Sequence, residues 1–144
     1  MFNDKRSGKI ALVAHYILNQ NSRALGLAEN SSTIAEVVEL LMKSEIGIVQ
    51  MPCPELAFAG VLRQPKTKDQ YDEATFRRHC RKIAEELANQ VQEYDRGRVK
   101  LKLVIGVDES PSCGVNGILV EELHSALGAR GISVPFYAIR HERL

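Results

Sequence analysis

Two cysteines of this chain stand directly behind runs suited to the middle of a sheet. "IGIVQMP" leads into Cys53, Pro54 and Glu55, and "VKLKLVIGV" leads into Asp108, Ser110, Pro111, Ser112, Cys113 and Gly114. A thiol at such a place can act as a nucleophile, a metal ligand or an iron–sulfur ligand. Pro111 and Gly114 shape a turn whose backbone N–H groups can form a nest for an anion, and such groups also lower the pKa of a nearby thiol. Ser110 and Ser112 offer hydroxyls to sulfur or to a substrate oxygen. A third polar group, His15, Tyr16, Asn19, Gln20 and Asn21, follows the first apolar run, "KIALVA".

The elements that must position these groups are legible as periodicity. "KIALVAHYI", "IGIVQMP", "VKLKLVIGV" and "ISVPFYAIR" read as strands, the last at an edge because of Pro135. "TIAEVVELLMKSE" reads as a helix with a stripe of Ile34, Val37, Val38 and Leu41, and Thr33 with Glu36 forms a capping box. A long helix runs from about Glu73 to Arg96, with Phe76, Cys80, Ile83, Leu87, Val91 and Tyr94 on its apolar stripe. "LVEELHSALGARG" is a further helix, closed by Gly131. The segments between, "LNQNSRALGLAENSS" and "CPELAFAGVLRQPKTKDQYD", read as irregular. The expected fold is α/β: a three-layer, Rossmann-like sandwich with a mostly parallel sheet of about four strands, in the order β-α-β-α-β-α-β. Residues 1–144 form one domain in this reading. Ligands bind such sheets outside the carboxyl ends of the strands. Parallel strands therefore deliver Tyr16, Cys53 and Cys113 to one edge.

Composition narrows the class. With 144 residues, 44% of them hydrophobic, the chain can build a core without disulfides. Lys+Arg of 19 against Asp+Glu of 18 argues against a DNA-binding protein. No apolar run suits a membrane span or a signal peptide. Three cysteines, Cys53, Cys80 and Cys113, contain no Cys-x-x-Cys pair, and a reduced cytoplasmic protein is expected. Cys80 reads as a buried, inert thiol. His79, His124 and His141 read as surface residues. The basic run with Arg63, Lys66, Lys68, Arg77, Arg78, Arg81 and Lys82 reads as a solvated face, able to hold a phosphate if it folds over the crevice.

The motifs "AHYILNQN", "VQMPCPEL", "KDQYD", "RRHCRK" and "GVDESPSCGV" resemble, over nearly the whole chain and in order, the short desulfidase-like branch of the 2-thiouracil desulfurase-related proteins. The resemblance implies a [4Fe-4S] cluster held by three cysteines, with an open iron that captures sulfur from a thiolated pyrimidine. Cys53 and Cys113 match two ligand positions, and Tyr16 stands at the third, where the family carries a cysteine. Both positions lie on the first strand in this reading, so neighbouring His15 points to the opposite face and is no simple substitute for position 16. The implied function is an iron–sulfur-dependent desulfidase acting on a small thiolated compound such as a thiopyrimidine. Ser110 or Ser112 would position substrate or relay a proton, Glu55 and Asp108 would do acid/base work, and His15, Asn19 and Asn21 would contact the substrate. The alternative is a cluster-less relative that binds a small ligand or an anion. A single metal on Cys53, Cys113 and a nearby carboxylate or histidine is a third, weaker reading, because structural zinc takes four ligands. Partners are a small-molecule substrate and no DNA or membrane. The edge strand, carrying Val134, Phe136 and Ile139, could support a homodimer.

Overall fold

A computed structural model describes residues 2–108, 110–114 and 116–140. Four parallel strands form the sheet: β1 (Lys9–Ala14), β2 (Gly47–Met51), β3 (Lys100–Val107) and β4 (Phe136–Ile139), in the order β2-β1-β3-β4. The larger helices are α2 (Ala35–Lys43), α5 (Ala74–Arg96) and α6 (Ile118–Ala129), and they complete an α/β sandwich of Rossmann-like order. α1 (His15–Leu18) replaces the expected end of the first strand, and a 3-10 turn (Gln20–Ser22), α3 (Pro54–Ala59) and α4 (Lys68–Tyr71) form within the segments expected to be irregular. No helix among the described residues is long and apolar enough to cross a membrane.

The core follows from the alternation and stripes in the sequence. Ala11, Leu12 and Val13 of β1 are wholly buried, because β1 has a strand on each side and helices around it. On α5, Phe76, Cys80, Ile83, Leu87 and Val91 are buried, but Tyr94 is 41% exposed: the stripe runs past the core before the helix ends. Basic residues on and before α5 meet the acids of α6, Arg77 pairing with Glu121 and Glu122, and Arg81 with Glu122. Lys68 also pairs with Glu121. Part of the basic run, Lys68, Arg77 and Arg81, thus meets the acids of α6, while Lys66, Arg78 and Lys82 are exposed as a solvated face requires and Arg63 is buried.

Two further expectations are corrected. α2 begins one residue later than the proposed capping box implies, with Ile34 at its N-cap and no side-chain cap, and Thr33 Oγ1 instead donates to the Leu18 carbonyl at 3.1 Å. His79 is half-buried, not solvated: its Nε2 has no hydrogen-bond partner and its ring lies 5.9 Å from Phe58 and 6.2 Å from Phe76. His124 is exposed, beside Phe136, and the reading of His141 falls outside the described residues.

Register places the site. Ala14 pairs with Met51, and Val13 with both Gln50 and Ile105, so β1, β2 and β3 end at nearly one level. Their order means that the loops after β2, β1 and β3 lie side by side. Strand order reverses between β1 and β3, the point at which such sheets open a crevice.

Candidate functional site

The loop after β3 is pressed onto its own strand. Val107 N–H donates to the Cys113 carbonyl at 3.0 Å, and a Cβ on Gly106 would overlap that same oxygen. A Cβ on Gly117 would overlap the Ser112 carbonyl. Glycine at both positions lets the backbone come close enough to hold Cys113 and Ser112 inward. Ser112 is wholly buried and Cys113 is 4% exposed. Part of the expected anion nest is already engaged within the loop. Cys113 N–H donates to Ser110 Oγ (3.2 Å), Gly114 N–H to the Ser110 carbonyl (3.3 Å) and Gly117 N–H to the Gly114 carbonyl (2.9 Å).

The loop after β2 turns straight into α3. Cys53 is its N-cap, and its Sγ accepts from Leu56 N–H at 3.4 Å; Pro54 follows at the first helical position and Glu55 in the first turn. Proline there needs no N–H, and an acid there suits the helix dipole. These signals are readable in the sequence, yet a helix of six residues is too short to show a period. The loop after β1 winds at once into α1, so His15 lines the same crevice as Tyr16 instead of facing away from it.

Ala14, His15, Tyr16, Met51, Pro52, Cys53, Pro54, Cys113 and Leu119 line a narrow crevice that is closed even to a water-sized molecule. Tyr16 is 3% exposed, and its hydroxyl is within hydrogen-bonding reach of the Cys113 thiol and Ser110. Arg23 stacks over its ring at 4.7 Å. Ser110 Oγ lies 3.2 Å from Cys113 Sγ. Behind Cys53, Ser112 Oγ–H donates to Glu55 Oε2 at 2.6 Å. Arg63, whose charge suggests a solvated position, is buried instead. It donates to the Ser22 carbonyl (2.7 Å) and the Gly60 carbonyl (3.2 Å), and it approaches Glu55 Oε1 at 3.7 Å and Cys53 Sγ at 3.9 Å. These contacts tie the loops after β1 and β2 together, and Glu55 extends the link to the loop after β3.

Burial sets the electrostatics. It pushes the Cys53 thiol up to about 11, against the pull of the Leu56 N–H. It raises Cys113 as well, opposed by the hydroxyls of Ser110 and Tyr16. Tyr16 is held well above its ordinary value by burial and then by Cys113. Both thiols therefore keep their protons at neutral pH and act as weak donors, not as thiolates. The turn does not activate Cys113 in the way its N–H groups suggest.

Other candidates lie apart. Asn19 and Asn21 are exposed and bond to each other, Asn19 Oδ1 accepting from Asn21 Nδ2–H at 3.1 Å. Between them, buried Gln20 is the residue that fixes the loop, donating to the Tyr16 carbonyl at 2.6 Å and accepting from Glu29 N–H at 3.1 Å. Asp108 N–H donates to the Ile139 carbonyl, and the Asp108 carboxylate approaches Arg140 at 3.8 Å, toward the end of β4. The His15 ring meets Gln50 through Nδ1, and burial lowers its pKa. Cys80 is wholly buried in α5 and pushed up to about 12.

The donor set can be tested against a [4Fe-4S] cluster anchored by three thiolates. It does not fit: Cys53 and Cys113 are two soft donors, and the third place holds a buried phenol, a hard donor. Among the described residues, no group of three or more His, Cys, Asp or Glu side chains converges to hold a metal ion.

Comparison with known proteins gives two matches. The family described as "Putative 2-thiouracil desulfurase" matches residues 10–144. An uncharacterized protein of Methanocaldococcus jannaschii is 43% identical over 117 residues, covering 79% of this chain and 74% of that protein. No solved structure matches.

Proposed function

The chain belongs to the 2-thiouracil desulfurase family, and from that premise we propose that its crevice removes sulfur from a small thiolated compound such as a thiopyrimidine. The observation that carries this reading is the meeting of Cys53, Cys113 and Tyr16 in one crevice, backed by the Ser112–Glu55 pair. The reaction is redox-neutral: a thiocarbonyl and water become a carbonyl and hydrogen sulfide. Water oxygen bonds to the thiocarbonyl carbon and gives a proton to Glu55. The C–S bond then breaks: the departing sulfur takes the first proton, relayed from Glu55 through Ser112, and the new hydroxyl gives its remaining proton back to Glu55 as the carbonyl forms, from which the released hydrosulfide takes it to become hydrogen sulfide. The protonated thiols and the hydroxyls of Ser110 and Tyr16 are donors for the negative charge that gathers on sulfur, a role of the oxyanion-hole kind. As folded, the crevice has no room for even a water-sized molecule, so its walls must part before the sulfur of a substrate can reach the two thiols.

The second reading, a cluster-less relative that binds a small ligand without turning it over, is favoured by Tyr16 standing in the third ligand position. One experiment separates the two. Anaerobic protein, with and without added iron and sulfide, is incubated with 2-thiouracil beside Tyr16→Cys. The desulfidase reading expects uracil from the parent chain. If uracil and iron–sulfur absorption come only from Tyr16→Cys, the parent is a binder.

A further inference from the structure

The two faces of the sheet are covered unequally. The ring of His124, on α6, lies 5.3 Å from that of Phe136, so α6 takes the Phe136 face of β4. α5 packs beside α6 on that side. Tyr137 and Ile139 point to the other face, with Leu103 and Ile105 of β3. Of the larger helices, α2 alone lies there among the described residues, and it packs against β2. One helix is about 10 Å wide and strands lie about 4.8 Å apart, so α2 covers about half of the sheet. Over β3 and β4 a cavity of about 1050 Å³ remains. Its floor is Leu103, Ile105, Tyr137 and Ile139, and its wall is Val37 and Leu40 of α2. Strands of a parallel sheet are ordinarily buried on both faces, yet Tyr137 is 57% exposed. The volume stands at the top of the roughly 300–1,000 Å³ that small-molecule sites occupy.

The polar groups of the lining gather at one end. α2 returns from the end of β1 to the start of parallel β2, so its first turn, with Glu36, lies at the carboxyl edge of the sheet. Glu29 and Asn30, in the loop after β1, and Arg140, just past β4, lie at the same edge. Arg140 is set against the Asp108 carboxylate at 3.8 Å, and the other two charges of the lining are carboxylates. We propose that this cavity binds a small amphipathic cation, with its apolar or aromatic body on the β3–β4 floor and its ammonium end among Glu29, Glu36 and the Asn30 amide oxygen. The Tyr137 ring offers a face on which a flat ring stacks or a cation rests. The thiol crevice, lined by Leu119 of α6, opens on the other side of the sheet, so this site is independent of the desulfidase reading.

The chain has no tryptophan, so indole fluorescence reports an added probe alone. Tryptamine, 3-methylindole and indole-3-propionate share one ring system and differ in charge. Tryptamine is expected to bind saturably, with a Kd of about 1 mM or below, and at least about tenfold more tightly than the anion. Glu36→Gln is expected to weaken tryptamine about threefold and to leave 3-methylindole unchanged. Tyr137→Ala is expected to weaken both about tenfold. Tyr137 and Leu40 are exposed, so substitution there keeps the fold, which thermal unfolding checks. No saturable binding of any probe overturns the site. Tryptamine binding that neither Tyr137→Ala nor Leu40→Asp diminishes lies elsewhere and overturns it as well. Indole-3-propionate binding as tightly as tryptamine, or more tightly, overturns the cationic class of ligand.

Discussion

Glu55 sets the character of the site at the scale of single residues. Its Oε2 accepts from Ser112 and its Oε1 faces Arg63, all three side chains being buried. A buried carboxylate is tolerable only when such partners meet its charge. Ser112→Ala therefore leaves one oxygen of a buried charge unmet, and unfolding in urea is expected to show a loss of about 1–3 kcal/mol. A loss within about 0.5 kcal/mol would mean that Glu55 relaxes to water and that the pair is not held as described. Glu55→Gln keeps the size but cannot take a proton, so uracil formation is expected to fall by about 100-fold or more. The two variants differ in what they remove: Ser112→Ala takes away both the relay and a partner of the buried charge, so turnover and stability fall together, whereas Glu55→Gln acts mainly on turnover.

Among the elements, the loop from Ser110 to Gly117 and the helix α5 behave differently. The loop is shaped by close backbone approach, so Gly106→Ala must push the Cys113 carbonyl away from β3. That variant is expected to lose about 3 kcal/mol or more of stability and to expose Cys113 to thiol reagents. Unchanged stability would show that the loop does not rest on Gly106. Cys80, on α5, gives a pH signature. Its thiol, ordinarily near 9.0, is pushed up to about 12 by burial and then by Glu122, so the folded state keeps a proton that the unfolded chain gives up. Its contribution to stability is whole below about pH 9 and is lost as pH rises toward 12. Unfolding measured across that range should show a shallower decline for Cys80→Ala than for the parent chain. An identical slope would mean that Cys80 titrates normally. Strands and long helices are legible in the sequence because period 2 and period 3.6 run through them for several repeats. The helices at His15–Leu18, Pro54–Ala59 and Lys68–Tyr71 span a turn or two, too few residues for a period to appear. That is why a strand pattern puts His15 on the wrong face. Arg63 reads as solvated because charge signals solvent unless its partners are known. Those partners are two backbone carbonyls and a carboxylate brought in by the fold.

For the whole molecule, topology does the gathering. Cys53 and Cys113 are far apart in sequence, yet the order β2-β1-β3 and matched register place both loops beside Tyr16. This much follows from parallel strands alone. The inward tie of Arg63 does not, because it depends on how the segment after Gly60 folds back toward Ser22 and Cys53. The central claim is that the gathered thiols and carboxylate handle sulfur. The direct measurement is uracil formed from 2-thiouracil by anaerobic protein, for the parent chain and for Cys53→Ser and Cys113→Ser, with folding of each checked by thermal unfolding. The parent is expected to form uracil, and each folded serine variant to lose about 100-fold or more of that rate. No uracil from the parent chain, or an undiminished rate from both serine variants, would contradict the assignment of this crevice.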